Sequence, residues 1–212
     1  MAHYDLEEQE QIDSLKTWWK MYGNLVTAVV VAASLGVIGW QGWNWYQRNQ
    51  AAQAAAIYGV LEQAVAANDA QKTKAAAGEL AEKFGRTGYA ALGALLAAKQ
   101  SFEAGDLKTA RVQLAWAADN ARDEVRDLAR LRLAAVLLDE KAFDEALAQL
   151  DAAHAAAFDA RFLEMKGDVL VAQGKKPEAR AAYKAALDKG DDKGGAGREL
   201  LRQKLDNLGE SA

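Results

Sequence analysis

The chain of 212 residues has no cysteine, one proline, two histidines and four serines. Without cysteine there is no disulfide and no thiolate metal site, so the fold rests on packing alone. The histidines, His3 and His154, stand in different segments, and no second His or Cys lies at metal-ligand spacing from either. None of the serines sits in a GxSxG elbow. The one glycine-rich stretch, Gly194, Gly195 and Gly197, follows no strand and precedes no GK[ST], so it reads as a loop. The pairs Asp123-Glu124 and Asp191-Asp192 lack the further oxygen ligands a hard cation needs. Catalytic, metal and cofactor sites are therefore expected to be absent. The formal net charge of −4 argues against a nucleic-acid binder.

Charge is also missing locally. Residues 21–47 carry no charged side chain, although charged residues are 26% of the chain. Leu25 to Tyr46 reads LVTAVVVAASLGVIGWQGWNWY. As a helix it spans about 33 Å, enough to cross the hydrocarbon core of a bilayer. Trp18, Trp19 and Tyr22 precede the run, and Trp40, Trp43, Trp45 and Tyr46 close it. These rings favour the headgroup level, where one edge is wet and the other apolar. A buried core helix rarely needs this length without charge, and a signal peptide wants a shorter apolar run behind a basic region. Here Asp5, Glu7, Glu8, Glu10 and Asp13 precede the run with only Lys16 and Lys20. Those lysines, against Arg48 alone just beyond, favour an amino terminus in the cytoplasm. The expected organisation is an acidic cytoplasmic tail over 1–23, a transmembrane helix over 24–46, and one domain over 47–212. Ala28, Ala32, Gly36 and Gly39, with Gly42, share about one third of the span's circumference, a face that lets a second membrane helix approach closely.

Beyond residue 50, Ala, Leu, Glu, Lys, Gln and Arg dominate, and no alternating run reads as a strand. The fold class is all-α. GDLKTARVQLAWA at 105–117, KAFDEALAQLDAA at 141–153 and GKKPEARAAYKAA at 174–186 each have a turn followed by a helix. Ala110, Ala146 and Ala179 occupy the same place, spaced by 36 and 33 residues, and Leu114, Leu150 and Tyr183 follow four residues later. Ala117, Ala153 and Ala186 come three further on, and Ala76 with Leu80 makes a fainter copy upstream. A helix–turn–helix unit with a period of about 34 residues is a tetratricopeptide repeat. In such units the small residue lets the two helices close up and the large one fills the space above. The partner helices are YAALGALLAAKQSFEA at 89–104, VRDLARLRLAAVLLD at 125–139 and ARFLEMKGDVLVA at 160–172, where Gly167 marks a close contact. Gly105 and Gly174 suit turns that need positive φ, and Pro177 opens a helix. His154 is expected near a helix end, and Gly197 to Leu208 reads as a capping helix with Leu200, Leu201, Leu205 and Leu208.

Solenoids bind partners on the surface lined by the first helix of each unit. Aligning the units places Leu95, Lys99 and Phe102 there, then Leu131, Ala135 and Leu138, then Glu164, Asp168 and Val171. These are the candidate groove residues. Several of them compete for the core between repeats, because groove and core positions adjoin on one helix.

EEQEQIDSLKTWWK at 7–20, GVIGWQGWNWYQ at 36–47, LARLRLAAVLLDEKAFDEALAQL at 128–150, KGDVLVAQGKKPEARAAYKAAL at 166–187 and KLDNL at 204–208 together resemble the YfgM family. The resemblance covers nearly the whole chain. It implies a single-pass protein of the bacterial inner membrane with a periplasmic tetratricopeptide-like domain, ancillary to the SecYEG translocon and partnered with the chaperone PpiD. Unfolded client segments are further expected partners. The composition and spacing themselves reach only an anchored interaction domain. They leave open a second reading, a signalling or assembly adaptor whose cytoplasmic tail binds a stress-response regulator.

Overall fold

The computed structural model describes residues 3–190 and 195–209. Among them every regular element is helical. The helices are α1 (His3–Ala66), α2 (Ala70–Phe84), α3 (Gly88–Glu103), α4 (Leu107–Asn120), α5 (Asp123–Asp139), α6 (Phe143–Leu150), α7 (Asp159–Ala172), α8 (Lys176–Lys189) and α9 (Ala196–Asn207), with a short 3-10 turn at Ala156–Phe158. By internal packing the chain divides into two units, Met1–Gln50 and Ala51–Ala212.

In the first unit the apolar side chains stand in the open. Val29, Leu35, Ile38 and Trp40 are all more than half exposed. A stripe this long and this apolar needs a non-aqueous cover, and the helix is long and apolar enough to cross a membrane. Its few hydroxyls are satisfied within the helix: Thr27 donates to the Gly23 carbonyl and Ser34 to the Val30 carbonyl, each at 2.8 Å. That is what lipid requires of a polar group with no water to turn to. Trp18 lies against Tyr22 at 5.8 Å between ring centroids, and Trp43 against Tyr46 at 6.1 Å.

In the second unit residues 51–66 of α1 and helix α2 form a helix pair, followed by α3–α4, α5–α6 and α7–α8, with α9 last. The turn inside each pair is the same device four times. Asn68, Gly105, Lys141 and Gly174 have φ of 53°, 77°, 60° and 77°. At each, the left-handed residue donates to the carbonyl three back: Asn68 to Val65, Gly105 to Phe102, Lys141 to Leu138, Gly174 to Val171. The next residue donates five back: Asp69 to Ala64, Asp106 to Ser101, Ala142 to Leu137, Lys175 to Leu170. These are Schellman closures, which satisfy carbonyls left over at a helix end. Asp69 and Asp106 then cap the following helix through the N–H groups of Lys72 and Thr109, both at 3.0 Å.

The small residues pack as their spacing expects. Ala76, Ala110, Ala146 and Ala179 are buried, and so are Leu80, Leu114, Leu150 and Tyr183, each four residues further on. The largest core cluster joins α3 to α7 through Leu95, Leu114, Leu131, Leu137 and Phe162.

Two expectations are corrected. Helix α6 stops at Leu150 and does not reach Ala153, which is exposed. His154 therefore lies in the connection after α6 and not near a helix end, stacked on Phe162 at 3.8 Å between ring centroids. The cause is on α5. Arg130 donates to the Ala153 carbonyl at 2.8 Å, and the fully buried Asp127 accepts the Ala155 N–H at 2.9 Å. A buried carboxylate needs a donor, and the chain must leave the helix to supply one.

Candidate functional site: a cleft between helices α3 and α5

The first helices of adjacent repeats, α3 and α5, leave an open cleft of about 260 Å³. Ala98, Ala135, Val136 and Leu114 make its apolar lining, and Phe102 stands at its edge, 43% exposed. Among the described residues, Lys99 and Arg132 are its only charged lining. Helix α3 places Lys99 and Phe102 on one face because they are three residues apart. Arg132 and Ala135 share a face of α5 for the same reason.

The candidate groove residues separate into three groups. Lys99, Phe102 and Ala135 line the cleft. Leu95 and Leu131 are buried in the core cluster, and Leu138 packs against that cluster half-buried. Glu164 and Asp168 lie away from the cleft, on α7, where α9 engages them. Lys204 of α9 donates to Glu164 at 2.8 Å and to both oxygens of Asp168 at 2.9 Å. Tyr183 of α8 donates its hydroxyl to Asp168 at 2.7 Å. Burial works against the Lys204 ammonium, but the carboxylates of Asp168 and Glu164 outweigh it and hold its pKa above the ordinary value. Burial, then the bond to Asp168, pushes the Tyr183 phenol upward too, so it stays a neutral donor. Val171, the last of the group, is exposed.

The repeat alignment did not select Ala98, Leu114, Val136 or, among the charged cleft residues, Arg132. For Arg132 the position was within reach: it precedes Ala135 by three residues, as Leu131 precedes it by four, and only the repeat-to-repeat angle decides which of the two faces outward. In the first unit, Ala28, Ala32, Gly36 and Gly39 are all exposed, and a methyl group added at Gly36 or Gly39 would meet nothing. Among the described residues no three His, Asp or Glu side chains converge as metal ligands would.

Residues 16–210 match the model of a family described as a tetratricopeptide repeat-like domain. The chain is 36% identical to a protein of Neisseria gonorrhoeae named ancillary SecYEG translocon subunit, over 96% of this chain and 98% of that one. It is 32% identical to the Haemophilus influenzae protein of the same name, over 97% and 99% of the two chains. The Escherichia coli protein of that name is 29% identical over 95% and 96%. No solved structure matches.

Proposed function

We propose a function from one premise: this chain belongs to the family of tetratricopeptide-repeat-like ancillary SecYEG translocon subunits. It is a single-pass inner-membrane protein that associates with the SecYEG translocon and offers its repeat domain to proteins emerging there. The acidic segment before the span faces the cytoplasm, and the domain over 47–212 faces the periplasm, where its cleft holds a PpiD-like chaperone or an unfolded client segment. The observation that carries this reading is the apolar cleft at Phe102 and Ala135, open to solvent between the first helices of adjacent repeats. The small-residue face at Ala28, Ala32, Gly36 and Gly39 supports a separate contact in the membrane. Two contacts on one tethered chain reinforce each other, because the first raises the effective concentration for the second.

The test is photocrosslinking in cells from the full chain, with the crosslinker at Phe102, at Gly36, or at Val112, an exposed residue outside the cleft. Phe102 should capture a periplasmic chaperone or a translocating chain, and Gly36 a translocon subunit. Capture at Phe102 no different from that at Val112 would refute the cleft as a partner site. Translocon capture that persists after the span is replaced by an unrelated membrane helix would assign that contact to the repeats.

A further inference from the structure

We infer that the α3–α5 cleft selects an acidic protein segment: an apolar side chain enters the cleft while neighbouring carboxylates meet Lys99 and Arg132. This rests on the reading of the cleft as a partner groove and adds the chemistry of the partner. The size comes first. At about 260 Å³ the cleft lies below the roughly 300–1,000 Å³ of small-molecule pockets. It has room for one large side chain of a peptide, and its lining of Ala98, Ala135, Val136 and Phe102 offers that side chain an apolar wall.

Charge comes second. Both charged groups at the cleft are cations, in a chain whose formal net charge is −4. Two cations that bridge neighbouring helices are neutralised within the fold. Arg111 of α4 meets Glu140 and Glu145, and Lys204 meets Glu164 and Asp168. The cleft cations are not used in this way. Lys99 has only Glu103, at 3.7 Å on its own helix, with both side chains 63% exposed. A pair so long and so wet contributes little. Among the described residues Arg132 makes no ion pair and no side-chain hydrogen bond. Two cations beside an apolar cleft favour carboxylates and disfavour cations on the incoming chain, which is how charge supplies selectivity at an interface.

The experiment measures binding of fluorescent peptides to the full chain in nanodiscs of zwitterionic lipid. One peptide carries central Leu and Phe residues flanked by Asp and Glu. The second replaces the flanking acids with Lys, and the third replaces Leu and Phe with Ser. At low salt the acidic apolar peptide should bind about tenfold tighter than the lysine version, and high salt should close that gap. The serine peptide should bind weakest. Lys99→Glu with Arg132→Glu should invert the preference, and Lys99→Gln with Arg132→Gln should erase it; circular dichroism checks that these exposed substitutions leave the fold intact. Equal affinity for acidic and lysine peptides, or a preference unmoved by charge reversal, would overturn the inference while leaving the groove reading standing. Failure of every peptide to bind would overturn both.

Discussion

Tyr183 and Gly167 show how one residue choice constrains another. The other repeats have Leu80, Leu114 and Leu150 where α8 has Tyr183, and Ala98 and Ala134 where α7 has Gly167. A methyl group at Gly167 would sit 2.2 Å from the Tyr183 ring, closer than atoms can approach. The larger ring thus requires the smaller partner. Gly167→Ala should destabilise the repeat domain by about 1–3 kcal/mol through overpacking. Adding Tyr183→Leu should recover part of that loss, a coupling a thermal or urea double-mutant cycle would measure. Additive effects would mean the two residues do not share the space. The turn positions show the opposite tolerance. Lys141 adopts the same left-handed geometry as Gly105 and Gly174, because the Schellman bonds around it hold a conformation its side chain disfavours.

The element scale is set by α9. Leu201 is buried against the end of the last repeat with Leu205 and Leu208 beside it, while Leu200 remains exposed. The helix closes an apolar face that a further repeat would otherwise cover. Lys204 adds the polar half of the contact through Glu164 and Asp168, with side chains only 24–30% exposed on all three residues. Lys204→Met keeps the length and removes the charge, leaving two half-buried carboxylates without their cation. We expect a loss of about 1–2 kcal/mol, confined to this end of the domain. Hydrogen exchange should quicken over 196–207 while α4 and α5 keep their protection. Uniform loss of protection would show that the solenoid unfolds as one unit; no change would show that the leucines hold α9 alone.

For the whole molecule the prediction concerns sidedness. Lys16 and Lys20 before the span, against Arg48 after it, favour the proposed orientation with the amino terminus in the cytoplasm. Protease added to spheroplasts should then digest the repeat domain and leave the segment before the span intact. Protection of the domain until the inner membrane is lysed would reverse the orientation.

Much of this protein was settled by local pattern. A charge-free run of that length has one structural solution in lipid, since a single segment can satisfy its backbone only as a helix. The repeat was equally legible, because Ala110, Ala146 and Ala179 return at one period and each small residue has a large one a turn later. Glycine marked two of the four turns by itself, Gly105 and Gly174. Other features belonged to tertiary structure. Helix α6 ends early because Asp127 and Arg130 on α5 bind the chain 28 and 23 residues further on, an interaction no local window contains. Glu164 and Asp168 looked like groove residues until α9, 36 residues beyond Asp168, placed a lysine on them. Leu131 and Arg132 are adjacent in sequence, yet one is buried and the other lines the cleft. Periodicity fixes a residue's direction on its own helix to within one position at best. The angle at which the next repeat packs then decides which neighbour is covered, and that angle is the summed outcome of every side chain between them.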